Sequence, residues 1–352
     1  MTGSEVPVRT RLFEGLKYPL VIEPDAPQAA TPAALQDYIR ANVDTLEALL
    51  LEKGALLFRG FGVASAGEFS AVVDSFPIEQ MTYLGGNTPR HKVQGGIYTS
   101  TEINHRYKIK LHNELSFQEN YPRNVFFFCE TPAAAGGETI LADVRDVYRA
   151  IPPEIVRTFE EKKVKYVRVF QQKRALTELL KKLVPTYFHL TWEQLFFTKD
   201  KARVEAACRE LHIDFEWRRN GDLALTNVLP AVIPHPVTGE PLWFNHVPSL
   251  HFNRRTLGRP VYRTRKFLYR DERKLPTQVF YGDGSPIGMA ELHPIYDALD
   301  RNTVKFPWER GDVLALDNRI IAHGRNPFTA PRKVLVSLAQ PRSGARTAAA
   351  PA

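Results

Sequence analysis

Short apolar segments near both ends of the chain, on either side of a long stretch with helical spacing, constrain the fold most. The segments at residues 125–129, 313–316 and 334–338 are dense in apolar residues and lie near glycine or proline, as strands do. Residues 152–212 instead carry apolar residues at three- and four-residue intervals. The pattern predicts an α+β chain with a mainly β core, flanking helices and a helical insertion at about residues 151–212.

Two helical stripes indicate the insertion, and a further helix is predicted near the N-terminus. The stripes are Leu176, Leu179, Leu180 and Leu183, followed by Val204, Ala207, Cys208 and Leu211. Residues 31–54 predict one helix, because Thr31 can cap its first turn, Pro32 suits its first position and Gly54 follows its last apolar residue. Residues 108–115 predict a strand.

Length and composition narrow the class of protein. Strand-like segments on both sides of the insertion favour one domain over residues 1–340, and the Pro/Ala/Gly-rich residues 341–352 predict a flexible tail. An apolar content of 43% excludes a disordered chain, and no stretch approaches the ~18 apolar residues of a membrane span. No basic cluster followed by an apolar segment marks the N-terminus for secretion, so we expect a cytoplasmic protein.

The net charge of +8 favours anionic partners such as a dicarboxylate cosubstrate, an acidic protein or nucleic acid. Basic residues concentrate at residues 162–182 and 254–274, which form either a solvated face or a docking patch for an acidic carrier protein. No known nucleic-acid-binding module is present, so we expect no nucleic-acid partner. Cys129 and Cys208 are too few and too separate for a disulfide framework, and both are interpreted as buried apolar residues.

A histidine and a carboxylate two residues apart suggest a metal site. His112 and Glu114 lie in the predicted strand at residues 108–115, where alternation places both side chains on one face. Together they supply two members of a set of two histidines and one carboxylate, which is typical of non-haem Fe(II) oxygenases. His323 is the candidate for the third ligand, because it ends an apolar strand before a glycine, with His246 and His251 as competitors.

Two polar residues at predicted strand starts add to this set. Thr139 follows a pair of glycines after the first ligand pair, and Arg332 precedes the strand after His323. The planar guanidinium of arginine suits a carboxylate, and a threonine hydroxyl is a further donor. Taken alone, Thr139 is better explained as an ordinary β-sheet residue and Arg332 as a surface cation at a strand end.

The combination of motifs resembles the clavaminate-synthase-like, taurine-dioxygenase-related Fe(II)/2-oxoglutarate oxygenases, in the branch of the syringomycin-biosynthesis hydroxylase. The similarity runs from about Gly54 to Gln340. The blocks that carry it, in chain order, are residues 54–61 (GALLFRGF), 86–90 (GNTPR), 98–102 (YTSTE), 111–116 (LHNELS), 136–139 (GGET), 281–287 (YGDGSPI), 306–313 (FPWERGDV) and 317–328 (DNRIIAHGRNPF).

The resemblance implies a double-stranded β-helix, or jelly roll, with His112, Glu114 and His323 as iron ligands. It also implies that 2-oxoglutarate chelates the iron and that Thr139 and Arg332 hold its distal carboxylate. Arg325 and Lys333 are alternatives to Arg332, since both lie nearby in sequence. Three protein ligands leave room on the iron for the oxo acid and O2. Because a ligand carboxylate is present, chlorination is disfavoured relative to oxygenation.

The implied reaction is hydroxylation of an unactivated C–H bond in an amino-acid-like metabolite, free or tethered to a carrier protein, in specialised metabolite biosynthesis. Desaturation or oxidative cyclisation uses the same cofactors and stays open. A non-catalytic ligand-binding or nucleic-acid-binding protein on the same fold is the alternative of another class. The helical insertion is a candidate lid over the site, with plain packing as its alternative.

Overall fold

The structure is a computed structural model, described here for residues 6–83, 86, 90–100, 103–175 and 190–342. Its larger sheet contains nine strands within these ranges: β1 (Val8–Arg11), β2 (Leu20–Pro24), β3 (Ala55–Phe58), β4 (Ile78–Gln80), β5 (Lys92–Gln94), β6 (Ile97–Thr99), β8 (Asn124–Thr131), β17 (Val313–Asp317) and β19 (Lys333–Pro341). Their spatial order is β1, β2, β3, β17, β8, β19, β6, β5, with β4 also beside β19. The central strands are antiparallel, and β2 and β3 are parallel.

A smaller sheet of four antiparallel strands contains the histidine segments. Its strands are β7 (Ile109–His112), β9 (Thr139–Asp143), β16 (Val304–Lys305) and β18 (Ile321–Arg325), in the order β16, β9, β18, β7. Alternate residues of the larger sheet point toward it: Phe127 packs with the smaller sheet, whereas Phe126 and Phe128 pack on the helical side. The ring of Phe127 lies 5.2 Å from that of His323, so the two sheets face each other across one core.

Eleven helices lie in the described part of the chain: α1 (Pro32–Ala41), α2 (Val43–Lys53), α3 (Ala66–Val73), α4 (Val144–Ala150), α5 (Pro153–Lys162), α6 (Trp192–Phe196), α7 (Lys201–Glu210), α8 (Val247–Leu250), α9 (Arg254–Leu257), α10 (Arg259–Leu268) and α11 (Met289–Arg301). None of them is long and apolar enough to cross a bilayer. Helices α1 to α3 cover the outer face of the larger sheet. The fold is therefore a mixed α+β architecture with a sheet-rich core.

The helix predicted over residues 31–54 is two helices. Thr31 caps α1 by accepting a hydrogen bond from the N–H of Ala34, as expected. At Asn42 the backbone leaves the helical region, and the side-chain amide donates to the Tyr38 carbonyl. Asparagine competes in this way for helical hydrogen bonds, which explains the break. Gly54 ends α2 in the left-handed conformation, as its position predicts.

The segment at residues 151–212 is not wholly helical. It contains α5, α6 and α7, but also β10 (Val164–Phe170). This strand is central in a third sheet with β11 (Asp214–Trp217), β12 (Leu223–Leu229) and β15 (Thr277–Tyr281), and a separate hairpin pairs β13 (Val232–Pro234) with β14 (Pro241–Trp243). Val164, Tyr166, Arg168 and Phe170 are buried in β10, and this period-two pattern was overlooked among the surrounding helical stripes.

Other sequence expectations meet the structure in part. Val204 and Cys208 are buried on α7, and both cysteines are buried and free, as predicted. The stripe from Leu176 to Leu183 lies outside the described residues, as does most of the tail predicted at residues 341–352. Strand β19 continues to Pro341, so it includes the first residue of that predicted tail.

Gly54 provides a test of how tightly α2 joins the strand that carries His323. Its φ is +72°, and a Cβ there would lie 2.5 Å from Cγ1 of Ile321 and 2.9 Å from Cγ2 of Ile320. We expect Gly54→Ala to lower the free energy of unfolding by about 2–4 kcal/mol, from backbone strain and overpacking together. Equilibrium urea denaturation measures the change.

Gly15→Ala is the matched control. Gly15 has the same φ of +72°, but nothing lies within 4 Å of a Cβ built there. This variant is expected to lose only the backbone contribution, about 1 kcal/mol. Equal losses in the two variants would show that the contact with Ile320 and Ile321 contributes nothing.

Candidate functional site

Strand pairing brings two of the predicted ligands together. In the smaller sheet, β18 pairs with β7 so that His323 lies directly opposite His112. Their ring centroids are 4.6 Å apart. All five residues of β18 are buried, so a one-residue shift in register would move every side chain to the opposite face and disrupt its packing. The backbone register therefore fixes the relative position of these two imidazoles.

Glu114 reaches the same place from a turn, not from a strand. β7 ends at His112, so the strand predicted over residues 108–115 is shorter than expected, and Leu115 has φ of +56°. The turn is held by Asn318, whose side-chain oxygen accepts from the N–H of Glu114 at 2.6 Å and whose amide donates to the Glu114 carbonyl at 3.0 Å. The predicted strand alternation is therefore wrong as the reason why His112 and Glu114 lie close together, although their side chains do meet.

Asn318 is a site residue that sequence reasoning missed. It is fully buried and also donates to the Pro122 carbonyl at 2.9 Å, while its own carbonyl accepts from the Asn113 side chain. The available signal was its position in the block at residues 317–328, five residues before His323. Its two-sided amide suits the role, because it can satisfy a backbone donor and a backbone acceptor at once.

The donor atoms of His112, Glu114 and His323 all lie within 4.8 Å of one another. Nε2 of His323 is 3.5 Å from Oε2 of Glu114, and both side chains are nearly inaccessible to solvent. Two imidazoles and one carboxylate are the donor set of non-haem Fe(II) sites with open coordination positions. The residues present therefore fit a ferrous ion.

The protonation states suit metal binding. Nδ1 of His112 donates to the Lys110 carbonyl at 2.8 Å, which leaves the lone pair on Nε2. Burial, together with a smaller effect of the neighbouring His323, lowers the pKa of His112 to about 4. Burial alone would raise the pKa of Glu114, but Arg90 and the two imidazoles outweigh that effect and hold the pKa well below its usual range. At neutral pH the site thus presents a neutral His112 and a carboxylate.

His246, a competing ligand candidate, instead packs against the site. Its ring centroid is 5.0 Å from that of His112, and its Nδ1 is 2.8 Å from Oγ of Ser116. Its backbone N–H donates to the hydroxyl of Tyr166, which belongs to the third sheet. Burial lowers the pKa of His246 well below its ordinary value, so the ring is neutral. His251 bonds to the Ile287 carbonyl and is not in the three-residue cluster.

A cavity opens beside the three candidate ligands and also reaches Thr139 and Arg332. Its lining residues are Arg90, Ser100, Ile109, His112, Phe127, Thr139, His323, Gly324, Arg325, Arg332 and Val334. Thr139 accepts a hydrogen bond from Nε1 of Trp308 at 3.0 Å, which leaves its own hydroxyl proton available to a ligand. Nε of Arg332 donates to the Gly137 carbonyl at 2.9 Å, and burial lowers the pKa of Arg332 to about 10, so it remains a cation at neutral pH.

The structure distinguishes between Arg332, Arg325 and Lys333, which the sequence offers as alternative partners for a cosubstrate carboxylate. Lys333 pairs with Glu130 at 2.8 Å and does not line the cavity. Arg325 does line it, but its Nη2 donates to the carbonyls of Ile103 and Tyr107, which bind the guanidinium to the loop before β7. Arg332 and Arg325 therefore remain, and Arg332 has fewer bonds to the protein backbone.

Two other features lie apart from this site. Arg59 has a structural role, because it forms ion pairs with Asp312 at 2.7 Å and Glu309 at 2.7 Å. A wider groove elsewhere is lined by Lys17, Asp146, Arg149 and Glu240 among others. Its charges pair with one another, and none of the predicted site residues lines it. The cavity beside His112 is therefore the candidate functional site.

Known proteins give an independent comparison. Residues 21–338 match the model of the taurine catabolism dioxygenase TauD, TfdA family. The chain is 35% identical to the dapdiamide synthesis protein DdaC of Enterobacter agglomerans, over 84% of this chain and 85% of that protein. It is 31% identical to a clavaminate synthase-like protein of Arabidopsis thaliana, over 95% of this chain and 97% of that one.

Solved structures share the fold at low sequence identity. One is PvcB, an Fe, alpha-ketoglutarate dependent oxygenase from an isonitrile synthetic pathway, with a TM-score of 0.51, 16% identity, and coverage of 95% of this chain and 91% of that chain. Another is an asparagine oxygenase in complex with Fe(II), 3-hydroxyasparagine and succinate, with a TM-score of 0.50, 12% identity, and coverage of 87% and 82%.

The family match spans most of the chain, and both curated relatives align over most of their own length. The cofactors of the family are Fe(II), 2-oxoglutarate and O2, which agree with the donor set of the cluster. The chain belongs to the TauD/TfdA family and is an Fe(II)/2-oxoglutarate-dependent dioxygenase.

Proposed function

We propose that this dioxygenase hydroxylates an unactivated C–H bond of an amino-acid-like metabolite, with His112, Glu114 and His323 as its iron ligands. We further propose that Thr139 and Arg332 hold the distal carboxylate of 2-oxoglutarate. The observation that carries the proposal is one cavity with the His-Glu-His cluster beside it and the Thr139 hydroxyl and Arg332 guanidinium in its lining.

The side chains of the chain bind and orient the reactants. Fe(II) bound here, with 2-oxoglutarate and O2, supplies the oxidising power for C–H hydroxylation while the oxo acid becomes succinate and CO2. A neutral His112 imidazole and an ionised Glu114 offer their lone pairs without first losing protons. Arg332 and Thr139 orient a dicarboxylate through a charge-assisted and a neutral hydrogen bond.

We also propose that the residues around the cavity keep water away from the reacting groups. Phe127 and Val334 line the cavity from the larger sheet, and β10 contributes Tyr166, which binds the backbone of His246 beside the site. We assign to residues 151–212 the role of covering the site, since part of that segment already contacts it. We also assign residues 1–340 to one domain in which the two facing sheets form a double-stranded β-helix.

Support for the substrate class comes from relatives. One curated relative is a dapdiamide synthesis protein, and one structural neighbour holds 3-hydroxyasparagine with succinate. These favour an amino-acid-like substrate in specialised metabolite biosynthesis. Desaturation or oxidative cyclisation by the same cofactors is the alternative outcome. The cytoplasmic location expected from the sequence stays a prediction.

A carrier-tethered substrate has a candidate docking surface. Arg254, Arg259, Arg263, Lys266 and Arg270 are exposed on or next to α9 and α10, a segment that starts eight residues after His246. Arg265 was grouped with them from the sequence, but burial lowers its pKa, so it contributes less to the exposed charge. The exposed cations suit an acidic carrier protein.

Loss of a proposed ligand is expected to abolish metal binding. In His323→Ala and Glu114→Ala the affinity for Fe(II), measured anaerobically by calorimetry, should fall by at least ~100-fold, more than loss of an outer-shell contact costs. His293→Ala, which removes an exposed histidine from α11, is the control and should bind normally. Unchanged affinity in both ligand variants would show that the ion lies elsewhere.

Arg332 and its neighbour allow a paired test of the cosubstrate site. Arg332→Ala should raise the dissociation constant for 2-oxoglutarate by about 10- to 100-fold, since it removes hydrogen bonds to a charged group. Lys333→Ala should leave it unchanged, because Lys333 pairs with Glu130 outside the cavity. Calorimetry with the Mn(II) form measures both. If only Arg325→Ala weakens binding, the distal carboxylate is held by Arg325.

The reaction itself is tested by a substrate screen. Amino acids, free and loaded on an acidic carrier protein, are incubated with Fe(II), 2-oxoglutarate and O2, and succinate is measured. We expect either the free or the carrier-loaded amino acids to stimulate succinate formation and to yield a product heavier by one oxygen atom. A product lighter by two hydrogens would indicate desaturation or cyclisation, and the absence of any stimulation would contradict the proposed substrate class.

A further inference from the structure

Arg90 is a buried cation with donors to spare. The Nη2 group donates to Oε2 of Glu114 at 2.7 Å, and the guanidinium carbon lies 4.2 Å above the ring of Tyr83. Only 3% of the Arg90 side chain is exposed. Its Nε and Nη1 groups are buried and have no hydrogen-bond partner within the described residues. Because a buried donor without an acceptor costs about 1–3 kcal/mol, these groups are suited to an anionic ligand.

The same guanidinium lines the cavity that contains the candidate site. Arg90 shares this lining with His112 and His323, whose donor atoms form the cluster with Glu114. Arg332, in contrast, bonds to the Gly137 carbonyl and stacks on Phe328. Arg90 and Arg332 therefore line one cavity but have different neighbours. The distal carboxylate of the oxo acid can occupy only one of them.

The net charge of the site with Fe(II) and 2-oxoglutarate bound favours the binding of a second acid. Fe(II) and the dianion of 2-oxoglutarate cancel, and Arg90 and Glu114 cancel as an ion pair. Arg332 then adds one positive charge. Buried positive charge without a counter-ion is costly. A carboxylate from the primary substrate would reduce it.

We propose that Arg90 binds a carboxylate of the primary substrate, through the donors that Glu114 leaves unused. This inference rests on the proposed function and narrows it: the substrate is a carboxylic acid with a free acid group, and it binds with that group beside Glu114. Because Arg90 also contacts Glu114, the bound acid is held next to a proposed iron ligand. A substrate whose acid group is blocked as an amide or thioester should not bind to the unused donors of Arg90.

The competing source of a carboxylate is the oxo acid itself, through its C1 carboxylate. A binding experiment with named probes separates the two. The protein, in excess over Mn(II), is saturated with the stable 2-oxoglutarate analogue N-oxalylglycine, and propionate or propionamide is then added. Paramagnetic broadening of the probe's methyl proton resonance reports binding near the metal, without any turnover.

For wild-type protein we expect saturable broadening of propionate and none of propionamide. Arg90→Gln should weaken propionate binding at least tenfold, and Arg90→Lys, which keeps the charge but loses the fork, should weaken it less. Arg40→Gln removes an exposed cation from α1 and is the matched control, with binding unchanged. The comparison of the two probes in the wild type needs no variant, so it holds even if Arg90→Gln folds poorly.

Several results would overturn the inference. They are equal broadening of both probes, undiminished binding in Arg90→Gln, or a normal N-oxalylglycine complex that takes up no propionate. If Arg90→Gln also weakens binding of N-oxalylglycine, then Arg90 binds the oxo acid. Failure of the wild type to form the Mn(II)–N-oxalylglycine complex at all would contradict the proposed function, and this inference with it.

Discussion

The antiparallel pairing of β18 with β7 is the interaction on which the candidate site depends. It places His323 opposite His112, and the buried residues of β18 fix its register. Phe127 packs against His323 from the facing sheet, so the core of the protein also forms one wall of the site. Asn318 then holds the turn that brings Glu114 to both imidazoles. Backbone pairing, core packing and one buried amide together position three side chains from two distant parts of the sequence.

Charge is arranged around this framework so that the donor groups are ready to bind a cation. Burial keeps His112 neutral, and Arg90 keeps Glu114 ionised in a region where burial alone would favour its protonation. The cations Arg90, Arg325 and Arg332 line the cavity, which suits a protein that must bind a dicarboxylate cosubstrate. The fold therefore places the candidate metal ligands next to three cations.

Much of this could be predicted from sequence, because the chemistry depends on residue types at recognisable spacings. The sequence predicts His112, Glu114 and His323 as ligands, and the structure brings their donor atoms within 4.8 Å of one another. His112 and His323 line one cavity with Thr139 and Arg332. Local patterns failed where long-range contacts decide the conformation. The turn at Glu114 depends on Asn318, which is 204 residues away in sequence, and the pairing of Arg90 with Glu114 depends on tertiary packing. The strand β10 was hidden because its neighbours in sequence are helical.

The central claim is that His112, Glu114 and His323 hold one ferrous ion that 2-oxoglutarate chelates. Anaerobic visible spectroscopy tests it most directly. The account predicts a weak charge-transfer absorption when both Fe(II) and 2-oxoglutarate are added to metal-free wild-type protein, no absorption with either alone, and bleaching on exposure to O2. A protein that binds Fe(II) and 2-oxoglutarate but shows no such absorption would contradict chelation, and with it the assignment of these three residues.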